Sequence, residues 1–188
     1  MRILLFVSFL LMAAPAMAQS IVVENMPSRS PGMGGDQGRF TLYSLRGDSL
    51  VAGPYDVVRD DSTSSTWDIG FLGIHVILNG GSSGPGDAAG ALLDIEFEDL
   101  TEVPDEIDLI ADGEGECPRG KARAVCSGSG NGWYIYEGGG VVNPAPGRTL
   151  LLRLADGGFA KLQMLSYGVD SNGKPGDRLF SFRYEIFD

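Results

Sequence analysis

The sequence is short of histidine, cysteine and positive charge. It has one histidine, two cysteines, and 14 Lys and Arg against 25 Asp and Glu, giving a formal charge of −11 over 188 residues. Each shortage excludes something. A single imidazole, His75, argues against a zinc centre, which draws three or four His, Cys or carboxylate ligands from one chain. A chain this acidic has no general field for nucleic acid and gains no attraction to an anionic lipid surface. Cys117 and Cys126 are not spaced as CxxC and no second ligand pair exists. In an exported chain they read as a disulfide closed around "PRGKARAV", with a metal or redox pair as the alternative. Closing so short a loop stabilises by roughly 2–3 kcal/mol in the chain-entropy view.

Long apolar runs are missing after the first twenty residues, so no membrane span is expected beyond them. "MRILLFVSFLLMAAPAMAQS" combines a basic start at Arg2, an apolar stretch and the small-x-small site Ala16-Met17-Ala18. It predicts a signal peptide over residues 1–18, cleaved after Ala18. A transmembrane anchor is the competing reading, and Pro15 and the short run weigh against it. No cysteine stands at the junction, so a bacterial lipoprotein anchor is not expected, and the protein is placed as secreted or periplasmic. About 170 residues remain, enough for one domain with its own core.

Helical periodicity is missing too, and what is there is β. Residues 19–38 read as an extended lead-in: "IVV" forms a short strand at most, and "NMPSRSPGMGGDQG" is linker chemistry. Residues 39–188 read as one all-β domain of antiparallel strands and glycine turns, without repeats. "RFTLYSL" and "LVAGPYDVV" flank "RGDS". Arg46-Gly47-Asp48 could be an adhesion tripeptide, but a charged hairpin turn is the simpler reading. "DDSTSS" is a polar turn. "TWDIGFLGIHVIL" predicts one strand from Trp67 to Leu78 buried on both faces, with Gly70 and Gly73 as bulge points. Strict alternation puts His75 on the face of Trp67, Ile69, Phe71 and Ile77, and a bulge would move it across from Trp67. A lone strand histidine reads first as a hydrogen-bonded structural residue.

No basic residue occurs between Asp94 and Glu116. This region predicts a strand through Ile95 and Phe97 and then an extended, solvated acidic excursion; an incidental calcium site is the alternative, though the spacing is not that of an EF-hand. "GNGWYIYE" opens a strand after a turn. "RTLLLRLA" and "FAKLQMLSY" form a hairpin about an Asp-Gly turn. "RLFSFRYEIF" closes the chain, with Phe180, Phe182, Tyr184 and Ile186 alternating against Ser181, Arg183 and Glu185.

Motifs that carry enzyme chemistry fail in context. Gly80-Gly81-Ser82-Ser83-Gly84 fits G-x-S-x-G, but no helix signal follows it. The hydrolase order needs a histidine after the serine, and none follows His75. The same loop lacks the Gly-Lys-Ser/Thr ending of a phosphate cradle, and so does "SGSGNG". A carboxylate pair for glycoside hydrolysis has no sign in the sequence. The chain is expected not to be an enzyme.

"DDSTSSTWDIGF", "NGGSSGPG", "GSGNGWYIYE", "NPAPGRTLLLRLADGGFAKLQMLSY" and "FSFRYEIF" resemble, in order, the HmuY-like family of exported bacterial proteins. The likeness runs from about Arg39 to Phe187. It implies an all-β fold with hairpin "fingers" and Trp67, Asp68 and Trp133 as structural residues. It also implies haem capture for delivery to a TonB-dependent outer-membrane receptor. In the family, haem iron is held by two finger side chains, histidines in some members and methionines in others. This chain has one histidine, in the Trp-Asp-Ile strand, and three methionines after residue 18: Met26, Met33 and Met164. Two histidines from one chain are therefore impossible. His75 and Met164 remain as the haem-ligand candidates, with five-coordinate binding through Tyr or Met open. The rival expectation is a secreted or periplasmic structural or interaction domain that keeps the fold and has lost the haem.

Overall fold

The computed structural model describes residues 19–28, 39–53, 63–118, 120–169 and 175–187. Residues 1–18, read above as a signal peptide, Met33, the end of "LVAGPYDVV" and the first half of "DDSTSS" lie outside them. In chain order the strands are β1 (Ile21–Pro27), β2 (Thr41–Ser44), β3 (Ser49–Ala52), β4 (Ile69–Leu72), β5 (His75–Leu78), β6 (Ala89–Leu93), β7 (Tyr134–Gly138), β8 (Val141–Pro144), β9 (Thr149–Arg153), β10 (Phe159–Val169) and β11 (Pro175–Phe187). All pairings are antiparallel, and no α-helix occurs among the described residues. One sheet has the order β1-β11-β10-β9-β6, a second β3-β2-β4-β5, and β7 pairs with β8 alone.

Period-2 alternation builds the core. Phe180, Phe182 and Tyr184 on β11 are fully buried, as are Leu152 and Leu162 behind them. They meet Tyr43, Ile69, Phe71, Val76 and Leu78 of the second sheet in one cluster. Phe71 crosses the gap, with its ring 4.7 Å from Phe180 and 5.4 Å from Phe182. Offset aromatic contacts of this kind add to the area term. The segment set apart as a lead-in contributes to the same structure: β1 pairs along β11 and buries Met26.

The stretch from Trp67 to Leu78 is not one strand. β4 and β5 form a hairpin, with Leu72 opposite His75 across a two-residue loop of Gly73 and Ile74. Gly73 sits at φ +57°, and glycine at the first loop position suits the primed turns that match strand twist. The turn resets the side-chain parity. Ile69, Phe71, Val76 and Leu78 face the main core, whereas Ile77 packs with Trp67, Leu42 and Ala52 in a second cluster. His75, two residues before Ile77, falls on that second side, away from Phe71. Trp67 is wholly buried, and its indole N–H has no acceptor among the described residues.

Ile95 and Phe97 are not in a strand either. β6 ends at Leu93, and residues 97–99 form a turn. The cause is Lys161, buried on β10, whose ammonium donates to the carbonyls of Phe97 (3.0 Å) and Leu100 (2.9 Å) and pairs with Glu185 at 3.3 Å. Phe97 lies between this ammonium, 4.4 Å from its ring, and the Arg183 guanidinium at 4.2 Å. Arg183 also binds Glu98 at 2.6 Å, and that hydrogen bond holds the Glu98 carboxyl below its usual range. The acidic excursion is thus strapped down by cations from the sheet. Further on, Ile110 bridges to Gly90 on the edge strand β6. Asp112 accepts from the backbone N–H of Leu78 (3.0 Å) and of Ala124 (2.9 Å). The excursion therefore covers edges that would otherwise expose unpaired backbone. Among the described residues no three His, Cys, Asp or Glu side chains converge as a metal site would require.

Asp68 joins the two sheets. Its carboxylate accepts from Leu45 N–H (2.8 Å) and from Ala155 N–H (3.0 Å) in the β9–β10 turn. The Gly-x-Ser-x-Gly loop is tied in the same way, with Ser82 N–H donating to the Asp112 carbonyl at 2.6 Å and Gly86 N–H to the Asn79 side chain at 3.1 Å. Strand β6, not a helix, follows it.

Both charged side chains of Arg46-Gly47-Asp48 are engaged within the molecule. Arg46 pairs with Asp156 at 2.6 Å, and Asp48 accepts from the hydroxyls of Tyr43 (2.7 Å) and Tyr184 (2.9 Å). Burial, and then the hydrogen bond to the Asp48 carboxylate, push both phenols well above their ordinary value. Because their folded-state values are raised, their stabilisation is whole below about pH 10, where unfolded tyrosines stay neutral. It is lost as pH rises beyond that, since the unfolded chain ionises first. In an alkaline absorbance titration two tyrosines should therefore stay protonated until the protein unfolds. Titration of every tyrosine near the ordinary phenol value in the folded protein would contradict the arrangement.

Candidate functional site

The β7–β8 hairpin, the finger of this fold, is hydrogen-bonded into neither sheet and rests on the main core through Tyr134 and Val142. Its tip, Gly138 to Gly140, has positive φ throughout. Ile135 (38 % exposed), Tyr136 (51 %) and Val141 (48 %) stand out from it, more than a folded core would leave bare. The long β10–β11 hairpin lies beside it, with Tyr167 packed on Trp133. Between them and the tip of the β4–β5 hairpin lies a cleft of about 820 Å³. That is within the range of roughly 300–1,000 Å³ for small-molecule sites.

Its walls come from four places. Leu72 to His75 supply the hairpin tip, and Gly128 and Ser129 a glycine-rich loop. Tyr134, Tyr136 and Val142 come from the finger, and Tyr167 and Arg178 from the long hairpin. Trp133 holds three of these walls together. Its indole N–H donates to the Ile74 carbonyl at 3.0 Å, and its ring packs on Tyr134, Tyr167 and Phe180. The Tyr134 hydroxyl accepts from Gly128 N–H at 3.1 Å, and the Ser129 hydroxyl from Tyr136 N–H at 2.8 Å.

His75 lines this cleft. Its Nδ1 lies 2.8 Å from the Ser127 hydroxyl, and no other hydrogen bond of the ring occurs among the described residues. Partial burial, and then the Arg123 guanidinium nearby, hold its pKa below the ordinary imidazole value. The ring is therefore neutral at pH 7, and a neutral imidazole nitrogen is a metal ligand. Arg178 faces the cleft from β11 at φ +57°, a left-handed conformation uncommon outside glycine and concentrated at functional sites.

Met164 does not reach the cleft. It is 7 % exposed and borders a separate small cavity of about 10 Å³ with Trp133, Leu150 and Leu162. Met26 is buried on β1. Cys117 and Cys126 form a disulfide. Trp67 and Asp68 sit in the core and at the junction of the sheets, away from the cleft lining.

Sequence reasoning missed Ser127, Tyr136, Tyr167 and Arg178. A signal for the first lies in the glycine run "SGSGNG" that follows Cys126, which is no phosphate cradle and overlaps a motif of the family likeness. Such a glycine loop can equally press backbone against backbone beside a site: a Cβ at Gly132 would overlap the Cys126 carbonyl.

The sequence model of the family described as HmuY protein matches residues 36–184. No curated protein matches the chain. Among solved structures it is similar to apo PinO from Porphyromonas gingivitis, with TM-score 0.56, 16 % identity, and 92 % of this chain and 99 % of that one covered. It is also similar to a candidate HmuY-like heme binding protein from Bacteroides vulgatus (0.53, 16 %, 91 % and 93 %) and to a candidate lipoprotein from Bacteroides fragilis (0.50, 17 %, 88 % and 87 %). At these identities the likeness concerns the fold.

Proposed function

Because the chain belongs to the HmuY family, we propose that it is an exported haem-binding protein that takes haem into the cleft between its fingers and passes it to an outer-membrane receptor of the TonB-dependent kind. The observation that carries this reading is the convergence of the sole imidazole with Tyr134, Tyr136 and Tyr167 in one cleft. The donor set fits the cargo. Aromatic and aliphatic walls suit the flat face of a porphyrin, and the His75 imidazole suits its iron. Arg178 supplies a cation for a propionate carboxylate. With one histidine in the chain, a second ligand from the same chain beside His75 would not be histidine, and Tyr136 is the most exposed phenol on the cleft wall.

Titration of the chain lacking residues 1–18 with ferric haem tests this. A saturable Soret shift at micromolar haem is expected, with one haem per chain. No saturable shift would remove the haem reading and leave a domain that has kept the fold as a structural or interaction module.

A further inference from the structure

The disulfide loop and His75 are far apart in sequence and meet at the cleft. Cys126 is bonded to Cys117, and the next residue, Ser127, is the one that holds His75 Nδ1. The loop is anchored on every side. Within it, Arg123 donates to the Val76 carbonyl at 3.3 Å, next to His75 on β5. Ala124 N–H is held by the buried Asp112, and Val125 is itself buried. After it, Gly132 N–H donates to the Gly128 carbonyl at 3.1 Å and packs against the Cys126 carbonyl so closely that no side chain would fit. Ser127 thus sits between a covalent bridge and a glycine-packed turn, which hold its backbone beside the imidazole.

An imidazole can present only one of its nitrogens as a lone pair at a time. If the Ser127 hydroxyl accepts from Nδ1–H, the lone pair is at Nε2, the ring edge not tied to the loop. We infer that the Cys117–Cys126 loop is a positioning device for the cleft, in which the Ser127 hydroxyl accepts from His75 Nδ1–H and so leaves the Nε2 lone pair for a bound haem iron. This rests on the haem reading above. Ser127 is a positioning residue: it acts through His75 and does not itself line the cleft. Second-layer partners of metal-bound histidines typically contribute 10–100-fold to affinity.

The sole histidine makes the test clean, because its ring signals need no assignment. Long-range ¹H–¹⁵N spectra of the haem-free protein at pH 8 should show Nδ1–H in the wild type. Ser127→Ala and the double variant Cys117→Ser/Cys126→Ser should show a mixed tautomer. Both should bind ferric haem about 10-fold more weakly, and Ser127→Thr should restore tautomer and affinity. The inference is overturned if the wild-type ring is Nε2–H. It is equally overturned if both variants keep the wild-type tautomer and affinity while His75→Ala binds weakly, a result that leaves the haem reading intact. Undiminished haem binding by His75→Ala would overturn the ligand assignment and this inference together.

Discussion

Replacing His75 by alanine is expected to weaken ferric haem binding on the order of 100-fold, or about 2.7 kcal/mol. The Soret band should move from that of a nitrogen-ligated haem toward that of haem held by contacts alone. The loss should not be total, because the aromatic walls and Arg178 remain. The variant should fold normally, since His75 is only half-buried and makes a single hydrogen bond among the described residues. The same ligand predicts a pH dependence. His75 has its pKa lowered by burial and by Arg123. Affinity should therefore be level across neutral pH and fall only below the ordinary imidazole value of about 6.5, where protons begin to compete with iron. In His75→Ala that acid limb should disappear. An unchanged Soret spectrum and affinity in the variant would show that iron is held elsewhere, and Tyr136→Phe would be the next substitution to measure.

Replacing Lys161 by alanine should cost about 3–5 kcal/mol of folding stability, the range for removing one partner of a buried ion pair. Lys161 is 4 % exposed and satisfies three groups at once: the Phe97 and Leu100 carbonyls and the Glu185 carboxylate, whose side chain is 18 % exposed. Its removal leaves two carbonyls and a charge without a partner, and takes the cation from the face of Phe97. Set against a typical domain stability of about 5–15 kcal/mol, this is a large share. Lys161→Met keeps the aliphatic stem packed and should cost less than the alanine. The double variant Lys161→Met/Glu185→Gln should recover part of the loss, because it removes the unpaired charge. Urea unfolding followed by tryptophan fluorescence measures all three. A Lys161→Ala protein within about 0.5 kcal/mol of wild type, the usual range for surface substitutions, would show that the strap contributes nothing.

Legibility followed the range of the physics. The β9–β10 hairpin and β11 were readable because a two-residue period and an Asp-Gly turn are local: Phe180, Phe182 and Tyr184 face inward as their alternation requires. The β4–β5 segment was misread for a local reason as well. Gly73 admits both a bulge and a turn, and only the pairing of Leu72 with His75 decides between them. Phe97 was misplaced because the partner that curls its backbone, Lys161, comes more than sixty residues later.

By itself the sequence determined an all-β chain of the HmuY type, with a disulfide at Cys117 and Cys126 and no second histidine. Composition, alternation and turn residues carry the all-β class and the cysteine and histidine counts without reference to distant contacts, and the likeness to the family rests on its motifs. The tertiary structure alone decided what His75 faces. A turn at Gly73 sets which side of the sheet the ring takes. Ser127, 52 residues further along, meets it there, and the finger and the long hairpin bring three tyrosines to the same cleft. Those are contacts between segments remote in sequence, and no local pattern encodes which of them will meet.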